Sequence, residues 1–363
     1  MEYPSRRQRL LEALAAEDLD ALLVSHPVNV TYLTGFTGES SHLILGRQRT
    51  LLVSDGRFTQ QLAEECPDLE VRIRPPRRAL IAAVAETLQA LGLRRVGFES
   101  NHLTVAEYET LREQAATIDW KPGRDRVERL RAVKDADEVA AIRNAIAIAE
   151  QAFAVFRANL RPEATEKELH DQLEAAVRQA GGRSTSFPSI VAVGERSALP
   201  HAPPTGRRLG DGDFVLVDWG AVGGLYHSDL TRVVAIRRIL PKLEQVYAVA
   251  LTAQERALRA IRPGVKAADV DAEARAAIAA AGFGDFFTHS LGHGIGLQIH
   301  EAPWLRAGSD DTLLPGMVVT IEPGIYLPGW GGVRIEDDVL VTADGAEVLS
   351  RLPRELSAWE CRW

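Results

Sequence analysis

Phe214-Val215-Leu216-Val217-Asp218 and Val318-Val319-Thr320-Ile321-Glu322 decide the architecture. Each is a short, largely apolar run that stops at a carboxylate. Such a run reads as a strand buried on both faces. An ionised carboxylate there is costly unless a cation or hydrogen bonds compensate it. Glycine-containing turns follow each run, and then a second acid, Asp229 after the first and Glu336 after the second. One acid at one strand end is an ordinary solvent-facing terminus. Four acids in matched places point to a site.

The matched acids sit in a faint internal repeat. Leu160-Arg161-Pro162-Glu163 precedes a helix ending at Ala180-Gly181-Gly182, and Ile261-Arg262-Pro263-Gly264 precedes one ending at Ala281-Gly282-Phe283. Both correspondences span 101 residues (160 to 261, 180 to 281). Thr165 with Glu168 makes a capping box for the first helix. Each helix is followed by a histidine-containing loop and then by the acid-terminated strand. Two halves that each donate two carboxylates predict one site at a pseudo-symmetric centre. The period is too long, and the copies too few, for a solenoid.

Upstream, Val139, Ile142, Ile146, Phe153 and Phe156 place one apolar face on a long helix over about 137–160. Lys121-Pro122-Gly123 reads as a break before it, with a charged stretch over 124–137. Residues 1–120 alternate helical and strand patterns: a helix over 8–17, strands over 21–24, 42–45 and 50–53, a helix over 80–91 and a strand over 95–98. Gly46-Arg47-Gln48-Arg49 is a hairpin signal. The expected fold is therefore mixed α/β, with a small α/β domain over residues 1–122 and a pseudo-two-fold domain over 123–363.

The 363 residues are 46% hydrophobic and 25% charged, which excludes a disordered chain, a collagen and a coiled coil. A net charge of −8 offers no broad basic surface, so nucleic acid is not an expected partner. Two cysteines, Cys66 and Cys361, build neither a disulfide framework nor a Cys-ligated zinc cluster. The amino terminus lacks the apolar core of a signal peptide, and no apolar run approaches the roughly 20 residues of a membrane span. The expected setting is the cytoplasm, with no membrane partner.

Four carboxylates crowded together would repel and hold protons unless cations joined them. Two divalent ions cancel their charge. Oxygen ligands with an imidazole suit manganese, zinc, cobalt or iron, and a pair of such ions about 3.5–4 Å apart makes a nucleophile from water near neutral pH. Candidate imidazoles are His289, His293 and His300. His289 and His293 have the i, i+4 spacing of a helical zinc pair, but the segment is not H-E-x-x-H and its glycines oppose a helix. The glycines suggest close approach of the backbone to a substrate. There is no P-loop and no G-x-S-x-G elbow, and 220–224 reads as a turn between the strands of Asp218 and Asp229.

These pieces resemble the pita-bread metallopeptidases, which include methionine aminopeptidase, aminopeptidase P and prolidase. The resemblance rests on Val217-Asp218-Trp219-Gly220, Ser228-Asp229-Leu230-Thr231-Arg232, His289-Ser290-Leu291-Gly292-His293-Gly294-Ile295-Gly296, Ile321-Glu322-Pro323-Gly324 and Arg334-Ile335-Glu336-Asp337, all in family order. Thr34-Gly35-Phe36-Thr37-Gly38 and Ser54-Asp55-Gly56-Arg57-Phe58 resemble the creatinase-like amino-terminal domain of the Xaa-Pro branch. The resemblance implies that Asp218 chelates one metal, Asp229 and Glu336 bridge the pair, and His293 and Glu322 complete the second. It implies catalytic roles for His201, His289, His300 and Glu322, and supporting roles for Arg334 and Tyr326. Arg57 would touch substrate, in a neighbouring subunit if the chain is a homodimer as relatives commonly are.

The implied reaction is aminopeptidase P-like hydrolysis of an amino-terminal Xaa-Pro bond in a peptide substrate, by a hydroxide bridging two divalent ions. Manganese is expected first, with zinc or cobalt as alternatives. Trp219, Gly296 and Leu297 are the expected lining of a proline slot. Prolidase is the alternative reading, followed by a metal-free binding module and a creatinase-like hydrolase.

Overall fold

A computed structural model describes residues 1–361. The chain forms two compact units, one Met1–Arg131 and the other beginning at Ala132. In the first, helices α1 (Tyr3–Ala16), α2 (Pro27–Thr34), α3 (Thr59–Glu65), α4 (Leu80–Ala90), α5 (Val105–Gln114) and α6 (Arg126–Ala132) accompany one six-stranded sheet. Its strands are β1 (Ala21–Val24), β2 (Ser41–Gly46), β3 (Thr50–Ser54), β4 (Glu70–Ile73), β5 (Arg95–Glu99) and β6 (Asp119–Gly123), in the order β4-β3-β2-β1-β5-β6. Leu23, Ile44, Val53, Val84, Leu88, Val96 and Leu111 make its core.

Three details depart from the sequence reading. The helix α1 starts at Tyr3, not residue 8, because Pro4 suits a first turn and Arg6 and Arg7 are buried. Their guanidinium groups donate to the carbonyls of Tyr32 and Leu33. Lys121-Pro122-Gly123 is not a break but the end of β6, an edge strand parallel to β5, where a proline is tolerated. The division falls after Arg131, later than 122. The helix α6 is tied to the first unit where Arg126 pairs with Glu17 and Arg131 donates to Asn29 at 2.8 Å.

The second unit carries the repeat. Its helices are α7 (Ala136–Ala158), α8 (Glu166–Gln179), α9 (Pro241–Ala260) and α10 (Ala267–Ala280). The capping box of Thr165 and Glu168 is formed. The first half holds β7 (Ser184–Thr185), β8 (Ile190–Val193), β9 (Phe214–Trp219), β10 (Ala221–Gly223), β11 (Tyr226–His227) and β12 (Leu230–Ile236). The second holds β13 (Gly292–Gly294), β14 (Glu301–Leu305), β15 (Val318–Ile321), β16 (Gly324–Leu327), β17 (Gly331–Arg334), β18 (Asp337–Val341) and β19 (Ala346–Val348), and β20 (Glu360–Cys361) returns to the edge of the first sheet beside β12. The antiparallel trio β8-β9-β12 matches the antiparallel trio β13-β15-β18. Residues 220–224 are not a simple turn: β10 pairs with both β7 and β11.

The strand β9 shows why the run ending at Asp218 is apolar throughout. Val215, Val217 and Trp219 pack towards α7 and α8, while Phe214 and Leu216 join the cluster built on α9 and α10. Asp218 continues the second face. The helix α7 is long and apolar enough to cross a membrane by length and composition alone. Its Ile142, Ala149, Phe153 and Phe156 are nevertheless buried inside this unit, the pattern of a core helix.

Candidate active site

Five side chains from distant stretches meet at the junction of the two trios. Asp218 lies near the end of β9, opposite Ile190 of β8 and Thr231 of β12. Asp229 immediately precedes β12, Glu322 follows β15, Glu336 precedes β18 and His293 is the middle residue of β13. All five line one cavity of about 550 Å³, together with His201, His289, His300 and Arg334. Asp229, His293 and Glu336 present ligand atoms within 4.8 Å of one another. The Nε2 of His293 is 3.6 Å from Asp229 Oδ2 and 3.4 Å from Glu322 Oε1.

The electrostatics call for cations. Burial, reinforced by Glu336 and Asp218, raises the Asp229 carboxyl well above its ordinary range. Burial, with Glu322 and Asp218, does the same to Glu336. Burial pushes Glu322 up to about 8, although Arg334 opposes it. The buried Oδ1 atoms of Asp218 and Asp229 have no hydrogen-bond partner among the described residues, which is costly in a protein interior. His293 is driven down to about 3 by burial and by His300, so its imidazole is neutral. Its Nδ1 faces the carbonyl of Gly294 at 3.1 Å, which assigns the proton to Nδ1 and leaves the Nε2 lone pair facing the acids. Acids that need positive charge around a neutral imidazole donor fit hard or borderline divalent ions.

A hydrogen-bonded frame holds these acids. Thr231 Oγ1 donates to Glu336 Oε2 at 2.6 Å and accepts from Arg334 Nε at 3.1 Å. Arg334 also pairs with Asp218 Oδ2 and donates to the Tyr326 hydroxyl. Tyr326 is 2.9 Å from His289 Nε2, whose other nitrogen faces the Ser290 carbonyl. Nδ1 of His289 therefore carries the proton, and the hydrogen bonds run from Arg334 to Tyr326 to His289. Burial lifts the Tyr326 phenol up to about 12, so it keeps the proton it donates. Thr320 Oγ1 accepts from the His293 backbone at 3.1 Å and donates to Glu322 at 3.2 Å. Neither threonine was singled out from the sequence. The signal was the strand period of two, which puts Thr231 on the face of Asp229 and Thr320 on that of Glu322.

Several expectations are corrected. Trp219 does not line the cavity. It is fully buried, stacks on Phe153 at 4.1 Å and donates from Nε1 to Ala149, because it faces opposite to Asp218 on the strand. Leu297 packs with the core of Ile142 and Ile295, and Gly296 lies against the Glu301 carboxylate. The apolar wall is instead Phe187, Ile190 and Trp304, with Pro188, Pro200, Pro203 and Pro204. These come from loops and strand ends with no shared periodicity, so the sequence pattern did not expose them. The glycines around His293 serve strand packing: a Cβ on Gly292 would stand 1.9 Å from the Thr320 carbonyl oxygen. Arg57 belongs to the amino-terminal unit, where it pairs with Asp55 and holds that carboxyl down at about 2.

The fold and this acid-rich centre define a metal-dependent hydrolase of the pita-bread type. Residues 140–343 match the model of metallopeptidase family M24, and residues 6–133 match the creatinase/prolidase N-terminal domain. The chain belongs to metallopeptidase family M24, in the branch that carries this amino-terminal domain. It is similar to the Xaa-Pro dipeptidase of Pyrococcus furiosus, with 34% identity over 97% of this chain and 99% of that protein. Among solved structures it is similar to an Xaa-Pro dipeptidase from Bacillus anthracis, with a TM-score of 0.93, 38% identity, and 98% and 99% of the two chains covered. It is also similar to an X-Pro aminopeptidase from Thermotoga maritima, with a TM-score of 0.89, 36% identity, and 96% and 99% covered.

Proposed function

We propose that this chain hydrolyses the bond between an amino-terminal residue and a following proline, with two divalent ions held by Asp218, Asp229, His293, Glu322 and Glu336. The reading is carried by one observation: buried acids with raised protonation tendency, two of their oxygens unpartnered, surround a neutral imidazole. When bound, the ions supply Lewis acidity that makes water nucleophilic and polarises the scissile carbonyl. Manganese is the ion proposed first, with zinc or cobalt as alternatives.

The side chains divide the remaining work. Glu322 takes the proton of the attacking water. His201 or His300, both on the cavity wall, stabilises the tetrahedral oxyanion and relays that proton from Glu322 to the departing proline nitrogen. The chain of Arg334, Tyr326 and His289 fixes the orientation of Asp218 and of the His289 ring. Phe187, Ile190 and Trp304 offer an apolar surface to the pyrrolidine ring. Free Cys66 and Cys361 support a reducing, cytoplasmic setting. A homodimer with Arg57 near substrate is part of the same reading, and light scattering with Arg57→Ala kinetics tests it.

Peptides longer than two residues are the proposed substrates. Among the described residues lining the cavity, Arg334 is the single guanidinium and no lysine is present. Arg334 is already committed to Asp218, Tyr326 and Thr231. A dipeptide would bring its terminal carboxylate close to the ions without a free cation from these residues. The dipeptidase reading is favoured by the names of the Pyrococcus and Bacillus relatives. Rates on Ala-Pro and Ala-Pro-Ala, with manganese, zinc and cobalt in turn, decide between them. We expect kcat/KM for the tripeptide to be higher by about tenfold or more. A preference for Ala-Pro replaces this reading with the dipeptidase, and no cleavage of either with any ion removes both.

A further inference from the structure

The amino-terminal unit gathers a second group of metal-ligating side chains. Strands β1, β5 and β6 run parallel, and the chain leaving each of them contributes one residue. His26 follows β1, His102 follows β5, and Glu128 lies on α6 after β6. Crevices outside the carboxyl ends of parallel strands are where open α/β sheets bind ligands. The ligand atoms of the three residues all lie within 4.8 Å of one another. His102 Nε2 is 3.1 Å from Glu128 Oε1, close to the separation of about 3.3 Å between two ligands on one tetrahedral zinc at ordinary bond lengths.

The surroundings are prepared for a cation. The imidazoles of His26 and His102 lie with centroids 3.7 Å apart and planes tilted by 36°. His26 Nδ1 is buried with no hydrogen-bond partner among the described residues. Burial, with His102 beside it, holds His26 down to about 4, the neutral form a metal needs. Asn29 donates to Glu128 Oε1 at 2.7 Å and to Glu99 Oε1 at 2.6 Å, while Glu99 Oε2 accepts from the backbone of His26 at 2.7 Å. The charged groups facing the cluster are Glu99, Glu128 and Arg131, two negative and one positive.

We propose that His26, His102 and Glu128 bind one divalent cation of zinc or cobalt character, with water completing the shell, and that this ion clamps α6 to the carboxyl edge of the sheet. None of its three residues is among those proposed for the catalytic centre.

Metal content of the full-length chain tests this in a background lacking catalytic ligands, Asp229→Asn with His293→Ala and Glu336→Gln. After equilibration with zinc alone and desalting, about one zinc per chain is expected to remain. Adding His102→Gln and Glu128→Gln should remove it, with circular dichroism confirming the fold. Cobalt in place of zinc should give a visible band that disappears with the same substitutions. If the background does not fold, the otherwise unchanged chain is compared with His26→Gln, which should lose one equivalent of zinc and keep its peptidase rate. The proposal is overturned if the folded background retains no zinc, if its zinc survives loss of both His102 and Glu128, or if His26→Gln leaves total zinc unchanged.

Discussion

The two halves of the catalytic unit share a backbone plan and differ in equipment. In each, an antiparallel hairpin brings one acid at the end of its first strand beside another at the start of its second. The first half inserts β10 and β11, whose Ser228 flank donates to the Ala145 carbonyl of α7 and so serves packing. The second half inserts β16 and β17, which carry Tyr326 and Arg334 to the acids. The third strands differ as well: β13 delivers His293, whereas β8 delivers Ile190 to the cavity wall. The halves are stitched together by Thr231 to Glu336, by the Asp229 backbone to Asp338, and by the fully buried pair Arg232 and Asp337. The lesson is a division of labour. The repeat sets where charge collects, and the departures from it set what that charge does and to which substrate.

The largest expected effect comes from the feature with no first-half counterpart. His293→Ala removes the sole imidazole among the five proposed ligands, a loss of several kcal/mol of transition-state stabilisation. kcat/KM on Ala-Pro-Ala at saturating metal should fall on the order of a thousandfold. A fall of less than about tenfold would show that the acids alone suffice and that the asymmetry at β13 is incidental.

Removing metal should turn the two carboxylate pairs against each other. The acids Asp229, Glu322 and Glu336 all hold protons more tightly in the fold than in the unfolded chain, Glu322 up to about 8. Between ordinary carboxyl values and pH 8 these acids therefore bind more protons in the native state, and their contribution to stability falls as pH rises. A chelator-treated sample should have a lower unfolding free energy, read by denaturant titration, at pH 8 than at pH 5.5, by on the order of a few kcal/mol. Glu322→Gln should flatten that slope, and manganese should abolish it. An unchanged slope in the variant would mean that the halves do not repel through this acid.

The frame around the acids gives smaller effects. Tyr326→Phe breaks the link between Arg334 and His289 but leaves every proposed ligand in place. Loss of such a partner costs about 10–100-fold in rate. Thr231→Val, which strips Glu336 and Arg334 of a shared partner from the first half, should fall at the lower end of that range. Rates for both variants, with metal content measured beside them, separate orientation from ligation. Equal losses would contradict the view that the second half carries the finer adjustment.

Much of this was legible because burial leaves strong patterns. A strand packed on both faces must be apolar throughout, so Asp218 and Glu322 stood out at the ends of their runs. The face of α7 and the cap at Thr165 were readable for similar reasons, being local and periodic. Other features depended on partners far away in sequence. Arg6 and Arg7 look like surface charge until the carbonyls of Tyr32 and Leu33 are seen to receive them. Pro122 looks like a break because nothing in its neighbourhood says that β6 is an edge. Trp219 was readable and was misplaced: its neighbour Asp218 faces the cavity, so the strand period points Trp219 the other way.

The smallest effect tests the wall that the first half contributes in place of a ligand. Ile190 stands opposite Asp218 across β8 and β9, and Phe187 precedes it in the same segment. An aliphatic side chain here cannot stabilise charge, so its contribution is to hold the substrate rather than the transition state. Ile190→Ala should raise KM for Ala-Pro-Ala by several-fold to about tenfold, as the loss of a few buried methyl groups does, with kcat nearly unchanged. The discrimination between Ala-Pro-Ala and Ala-Ala-Ala should shrink by the same factor, since an apolar wall favours the ring over a methyl group. A fall in kcat at unchanged KM would instead mean that Ile190 acts through Asp218, and that the first half takes part in the chemistry as directly as the second.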